Sequence, residues 1–190
     1  SQSFPMIAAV DFSNFKALRS ATLELAPFNL LLGPNGSGKS SLIQALLRLR
    51  TLAGLPVAKA NGELEHNPAG PKITFRFLPP FAEIKVTLGC NADEMVCNQL
   101  TVDYPAGPAA ETCWQELRTR LHSIRAFLLD HYAMASPCQR VEHAALSSNG
   151  GNLAAVLADW RDRRPGLLAA VEAEFVRLAP EFASLAIQAG

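Results

Sequence analysis

Residues 28–41 read Phe28-Asn29-Leu30-Leu31-Leu32-Gly33-Pro34-Asn35-Gly36-Ser37-Gly38-Lys39-Ser40-Ser41. A short apolar run, preceded by Pro27, leads into a glycine-rich loop that ends in Lys-Ser-Ser. The run is what a central strand of a parallel sheet looks like when both of its faces are buried. Beyond the loop, Leu42, Leu46, Leu49 and Ala53 recur at helical spacing, with Ile43 and Leu47 beside them, until Gly54-Leu55-Pro56 supplies stop signals. The order is strand, loop, helix.

That setting gives the loop a chemistry. A phosphate group carries concentrated negative charge, and a ring of backbone N–H groups at a helix N-terminus holds it with the helix dipole assisting. Side chains would obstruct the approach, so Gly33, Gly36 and Gly38 have a physical reason to be glycine. Lys39 can reach the β- and γ-phosphates of a nucleotide, and the Ser40 hydroxyl is placed to ligate Mg²⁺. The cofactor-binding residues expected from the motif are Gly33, Pro34, Asn35, Gly36, Ser37, Gly38, Lys39, Ser40 and Ser41, with ATP and Mg²⁺ as ligands and Ser40 as the metal contact.

Upstream, residues 6–12 form an apolar run suited to a buried strand, and residues 21–25 alternate as a half-buried strand does. Downstream, residues 62–70 read as a polar connection. Three β-like runs follow, at 72–77, 81–88 and 95–104, separated by Pro79-Pro80 and by the turn cluster at 89–93. Consecutive strands with short links imply an antiparallel sheet. Residues 111–129 read as mostly helical, with Trp114, Leu117, Leu121 and Ile124 on one face. Two amphipathic helices finish the chain, striped by Leu153, Val156, Leu157 and Trp160 and by Leu168, Val171, Phe175 and Leu178, with Pro165 between them in a position suited to a first helical turn.

With 190 residues, 49% of them hydrophobic, the chain can bury one substantial core and is read as one domain. Lys plus Arg total 17 and Asp plus Glu total 17, so no overall field draws it to nucleic acid or an anionic membrane, and any such contact requires a local patch. Cys90, Cys97, Cys113 and Cys138 lack the pairings of zinc and redox motifs and are expected as buried thiols. No stretch approaches the apolar length of a membrane span and residues 1–6 do not open like a signal peptide, so no membrane partner and a cytoplasmic location are expected.

From Phe12-Ser13-Asn14-Phe15-Lys16 through Leu23-Glu24-Leu25 to the glycine-rich loop, the sequence resembles the N-terminus of ABC-type chromosomal ATPases of the RecF and SMC-like group. Asn149-Gly150-Gly151-Asn152-Leu153-Ala154-Ala155-Val156-Leu157 with Pro180-Glu181-Phe182 resembles a segment of AAA-type predicted ATPases of that group. The resemblance covers residues 12–47 closely and the remainder loosely. It implies an α/β fold: a P-loop NTPase core with a parallel sheet, a flanking antiparallel β-subdomain and a helical C-terminal segment.

It also implies two elements the sequence does not display, a signature motif and an apolar strand ending in Asp-Glu. Phe127-Leu128-Leu129-Asp130 is the nearest approach to that strand, but His131 stands where the catalytic Glu belongs, and structural packing is the better reading. Leu146-Ser147-Ser148-Asn149-Gly150-Gly151 imitates a signature motif, and a helix N-terminus capped near Ser148 or Asn149 is the better reading. No catalytic residue is assigned. Residues 1–190 are expected to be a single P-loop ATPase domain, an N-terminal portion without those motifs and not hydrolytic alone.

Phe15 and Lys16 are candidates for the adenine or ribose edge on the resemblance, with core packing and solvation as the alternative. Gln99 and Gln139 are candidates for a γ-phosphate-sensing glutamine. Arg161, Arg163 and Arg164 form a basic group at a helix end, where cations also complement the dipole. His66, His122, His131 and His143 show no ligand spacing. The resemblance implies ATP binding and hydrolysis that drives closure of two heads in DNA repair, recombination or defence, with the remainder of the head or a second head as partner and DNA by analogy. The alternatives are a non-catalytic nucleotide-dependent interaction module and a transporter ATPase subunit.

Overall fold

The structure, a computed structural model, describes residues 6–55, 70–93 and 96–184. Two compact units divide it, Ser1–Ile124 and Arg125–Gly190.

In the first unit, strands β1 (Ile7–Phe15) and β2 (Leu18–Glu24) form a hairpin whose turn holds Asn14 and Lys16 at φ 53° and 51°. Helix α1 (Lys39–Ala53) follows, then β3 (Lys72–Phe77), β4 (Lys85–Cys90), β5 (Cys97–Asp103) and helix α2 (Pro108–His122). The strands form one sheet in the order β2-β1-β3-β4-β5, and every pairing is antiparallel.

The register gives the sheet two unlike faces, as the two-residue period requires. Val10 lies across from Leu23 and Phe75, Phe75 from Val86, and Val86 from Val102; Phe12 lies across from Ile73 and Ile73 from Leu88. One step along, Asp11 faces Thr22 and Thr74, and Thr87 faces Thr74 and Thr101, so the opposite face is lined by hydroxyls. The apolar face forms the core with Leu42, Ala45, Leu49 and Leu52 of α1 and Trp114, Leu117 and Leu121 of α2. Burial of each large side chain in that cluster contributes about 1.5–3 kcal/mol.

The expected parallel-sheet core is overturned: the sheet is wholly antiparallel, and residues 28–32 form no strand. Phe28, Leu30 and Leu32 are 81%, 70% and 80% exposed. A short apolar run signals a wish for burial but does not supply the neighbouring strand that a sheet needs. Three of the pairings, β1–β2, β3–β4 and β4–β5, are between strands consecutive in the sheet and close in the chain, whose links close at low entropy cost, whereas β1–β3 is long-range and joins the β1–β2 hairpin to the other strands. The flanking antiparallel element is therefore the entire sheet.

Other elements shift less. Lys72–Phe77 is a strand, as the alternation indicates. The run at 81–88 becomes β4 at Lys85–Cys90, because Phe81 and Ile84 are buried from a turn instead of a strand, and that turn follows a cis Pro79–Pro80 peptide. The run at 95–104 becomes β5, with Met95 outside the described residues. The connection at 62–70 lies outside them as well, apart from Gly70. The helix expected over 111–129 runs Pro108–His122. Cys90 and Cys97 are not free thiols but a disulfide, because the hairpin register sets them opposite one another with Cα atoms 3.8 Å apart. Cys113 and Cys138 are free thiols, as expected, but half-buried and not buried.

The second unit contains α3 (His131–Ala135), α4 (Leu153–Arg163) and α5 (Pro165–Leu178). Pro165 occupies the first turn of α5, where its missing N–H costs nothing. Leu128 and Asp130 donate their N–H groups to the carbonyls of Ser148 and Asn149, which ties the stretch before α3 to the turn before α4. Arg163 pairs with Glu142 and Asp159, and Asp162 with Arg140 and Arg161. The hydrogen bond between Arg163 and Glu142 is the main cause that holds the Glu142 carboxyl below its ordinary pKa and the Arg163 guanidinium above its own.

Candidate functional site

The glycine-rich loop precedes α1 directly, and its shape follows from residues that tolerate unusual backbone. Gly36 and Gly38 stand at φ 82° and 96°, and Gly38 is the N-cap of the helix. A Cβ on Gly38 would lie 2.9 Å from the Leu18 side chain of β2. The loop is held in part by the Ser37 N–H donating to the Pro34 carbonyl at 3.3 Å, and the helix ladder begins with Leu42 N–H donating to Gly38.

Before that first ladder bond, the N–H groups of Gly36, Gly38, Lys39, Ser40 and Ser41 reach no acceptor among the described residues. These are the orphan donors that every helix start leaves, here without a capping side chain. Lys39 folds back over them: its Nζ donates to the Gly33 and Pro34 carbonyls at 2.7 Å each and lies 3.4 Å from the Ser37 hydroxyl. The Ser40 side chain is exposed, whereas Ser41 is buried beside Leu42 against the sheet. The loop thus gathers free N–H donors, one ammonium and hydroxyls at the positive end of one helix dipole, an arrangement suited to a phosphate chain with a bound divalent cation.

The other candidates separate. Phe15 is buried, with its ring 6.2 Å from that of Phe12, so it belongs to the core. Lys16 donates to Gln44 Oε1 at 2.6 Å, with its Nζ 5.3 Å from the centre of the Phe15 ring. Gln99 is exposed on β5, and no side-chain hydrogen bond ties it to the loop. Gln139 is exposed in the second unit. Asp130 is an N-cap, its Oδ1 accepting from Tyr132 and Ala133 N–H at 2.8 and 3.0 Å. The stretch 146–151 is a turn in which Asn149 Oδ1 accepts from Ser147 Oγ and Gly151 N–H, and Asn152, three residues past Asn149, is the N-cap of α4. Among the described residues no His, Cys, Asp and Glu side chains cluster to hold a metal.

One contact lay beyond sequence reasoning. Arg118 of α2 donates to the carbonyls of Ala53, Gly54 and Leu55 at 2.6–3.1 Å, capping the far end of α1 from 63–65 residues away. A lone arginine on a helix gives no signal of such a partner.

Residues 6–87 match the AAA ATPase domain family. The match takes in β1, β2, the loop, α1, β3 and the beginning of β4, and it supports a nucleotide-binding AAA-type ATPase, a class that uses a nucleotide and usually Mg²⁺. No curated protein matches the chain. No helix among the described residues is long and apolar enough to cross a membrane.

Proposed function

We propose that residues 33–41 bind ATP with Mg²⁺ and that the chain serves as the nucleotide-binding part of a RecF/SMC-like ATPase head. The observation that carries this reading is the set of N–H donors at the start of α1 that reach no acceptor among the described residues, together with an ammonium held on the loop's own carbonyls and the Ser37 hydroxyl. Phosphate oxygens satisfy such donors, and the Lys39 ammonium exchanges its carbonyl partners for the β- and γ-phosphates. The Ser40 hydroxyl ligates the metal, which neutralises phosphate charge when bound. Hydrolysis in the complete head drives closure on a partner. DNA as a partner comes from the family resemblance alone.

Partnership has its own support. Phe28, Leu30 and Leu32 lie exposed immediately before the loop, where the remainder of the head or a second head covers them. The same observation favours the second reading, an interaction module in which ATP acts as a ligand and is not hydrolysed. Isothermal titration of ATP and Mg²⁺ into the wild type and Lys39→Ala tests the loop: loss of most of the affinity is expected, and equal affinities overturn the assignment. Phosphate release with and without the partner separates the two readings: background release is expected for this chain alone under both, and turnover on adding the partner only for the first.

A further inference from the structure

A concavity lies on the flank of α1, lined from that helix by Gln44, Ala45, Leu47, Arg48 and Thr51. It has a volume of about 390 Å³, and its floor is apolar, formed by Phe15, Ala45 and Leu47 with the Cys97 end of the disulfide. The hairpin turn of β1 and β2 makes one wall and the start of β5 the other. On α1 the lining residues Gln44, Arg48 and Thr51 recur at spacings of four and three, one stripe of the helix.

Among the described residues, the charge that lines this cleft has one sign. Lys16 and Arg48 reach it, and no carboxylate among the described residues lines it. Lys16 is held in place by Gln44, which leaves donors of its ammonium free. Arg48 is exposed and has no hydrogen-bond or ion-pair partner among the described residues. A solvated helix face also carries cations. Here, however, the turn at Lys16 closes over the stripe from one side and β5 from the other, so the cations rim an apolar hollow of the size that small ligands occupy.

We propose that this cleft binds a small organic anion, a carboxylate or phosphate ester with a flat apolar body, the body on the floor and the anionic group between Lys16 and Arg48. The site is separate from the loop, which neither cation contacts, and it adjoins the same helix. The proposal does not depend on ATP binding.

The probes are 2-naphthoate, 2-naphthyl phosphate and neutral 2-naphthol, titrated into the full chain and followed by amide shifts in ¹H–¹⁵N spectra. Both anions are expected to move the amides of residues 16, 44, 48 and 97, with 2-naphthol at least about ten-fold weaker. A preference of about ten-fold for one anion assigns the ligand class to phosphate or to carboxylate. The Lys16→Gln, Arg48→Gln double variant changes two exposed side chains and is expected to weaken the anions about ten-fold, while Lys39→Ala leaves them unchanged. The proposal is overturned if 2-naphthol binds as well as the anions, if the double variant binds them unchanged, or if the shifts gather on residues 28–41 instead of the cleft.

Discussion

The Lys39 ammonium donates to the Gly33 carbonyl at 2.7 Å and to that of Pro34 at the same distance, closing the loop on itself. Both bonds are exposed to water, so removing them changes folding stability by only about ±0.5 kcal/mol. Lys39→Ala should therefore melt within a few degrees of the wild type, while its ATP affinity falls more than about ten-fold, roughly 1.4 kcal/mol or more. Thermal melts with and without ATP and Mg²⁺ check this: the ligand-induced rise should be present in the wild type and nearly absent in the variant.

Gly38→Ala tests the backbone of the loop separately. The Leu18 side chain 2.9 Å from the new Cβ can move aside, but φ 96° stays unfavourable for any L-residue with a side chain. A loss of about 1–2 kcal/mol is expected in urea denaturation, accompanied by weaker ATP binding. Unchanged stability would mean the loop adopts another backbone conformation.

Arg118→Met removes the guanidinium that caps three carbonyls and keeps much of the apolar stem. Charge-assisted hydrogen bonds of this kind contribute about 1.5–3 kcal/mol, so the variant should be destabilised by about that amount. Leu49→Ala, in the fully buried centre of the same helix, should be destabilised by about 2–5 kcal/mol. Urea titrations of both variants measure the two contributions.

Asp130→Asn distinguishes a cap from a metal ligand. Asn caps helices about as well as Asp, so stability should be nearly unchanged, whereas Asp130→Ala should lose about 1 kcal/mol locally. Neither substitution should alter ATP affinity. A large drop in nucleotide binding or turnover with Asp130→Asn would return that residue to the chemistry.

Acid should weaken the hydroxyl-lined face first at Asp11. Burial pushes its pKa up, but the Thr22 hydroxyl at 2.7 Å and the Arg76 guanidinium at 3.0 Å more than offset that and leave it below the ordinary 3.8. A carboxyl depressed in the folded state stabilises above its ordinary value, and the contribution disappears as pH falls through the folded value. The pair is largely exposed, so Asp11→Asn should lose about 0–1 kcal/mol at pH 7, with the gap to wild type closing below pH 3.8. Urea midpoints across that range provide the measurement.

The loop, α1 and β3 were legible because glycine, helical and two-residue periods each have one local cause. The sheet type was not. Residues 28–32 and Phe81 carry the same apolar signal, yet Phe81 is buried from a turn and Phe28 is left in water, since hydrophobicity states a preference for burial and not the partner that provides it. The disulfide was hidden for a related reason: seven residues separate Cys90 from Cys97, and only the hairpin register makes them neighbours. Asp130 shows the converse, an acidic residue whose place after an apolar run imitates a metal site while its nearest N–H groups claim it as a cap.

The arginine clamp on Ala53, Gly54 and Leu55 pins the far tip of α1 to α2, while Leu42, Ala45 and Leu49 seat the helix in the core along its length. For the helix to slide under a force applied at Gly38, three bonds at the clamp would have to break and those side chains leave their places in the core. A pull on the loop thus meets a rod braced at both flank and tip, and α2 shares the load through its arginine.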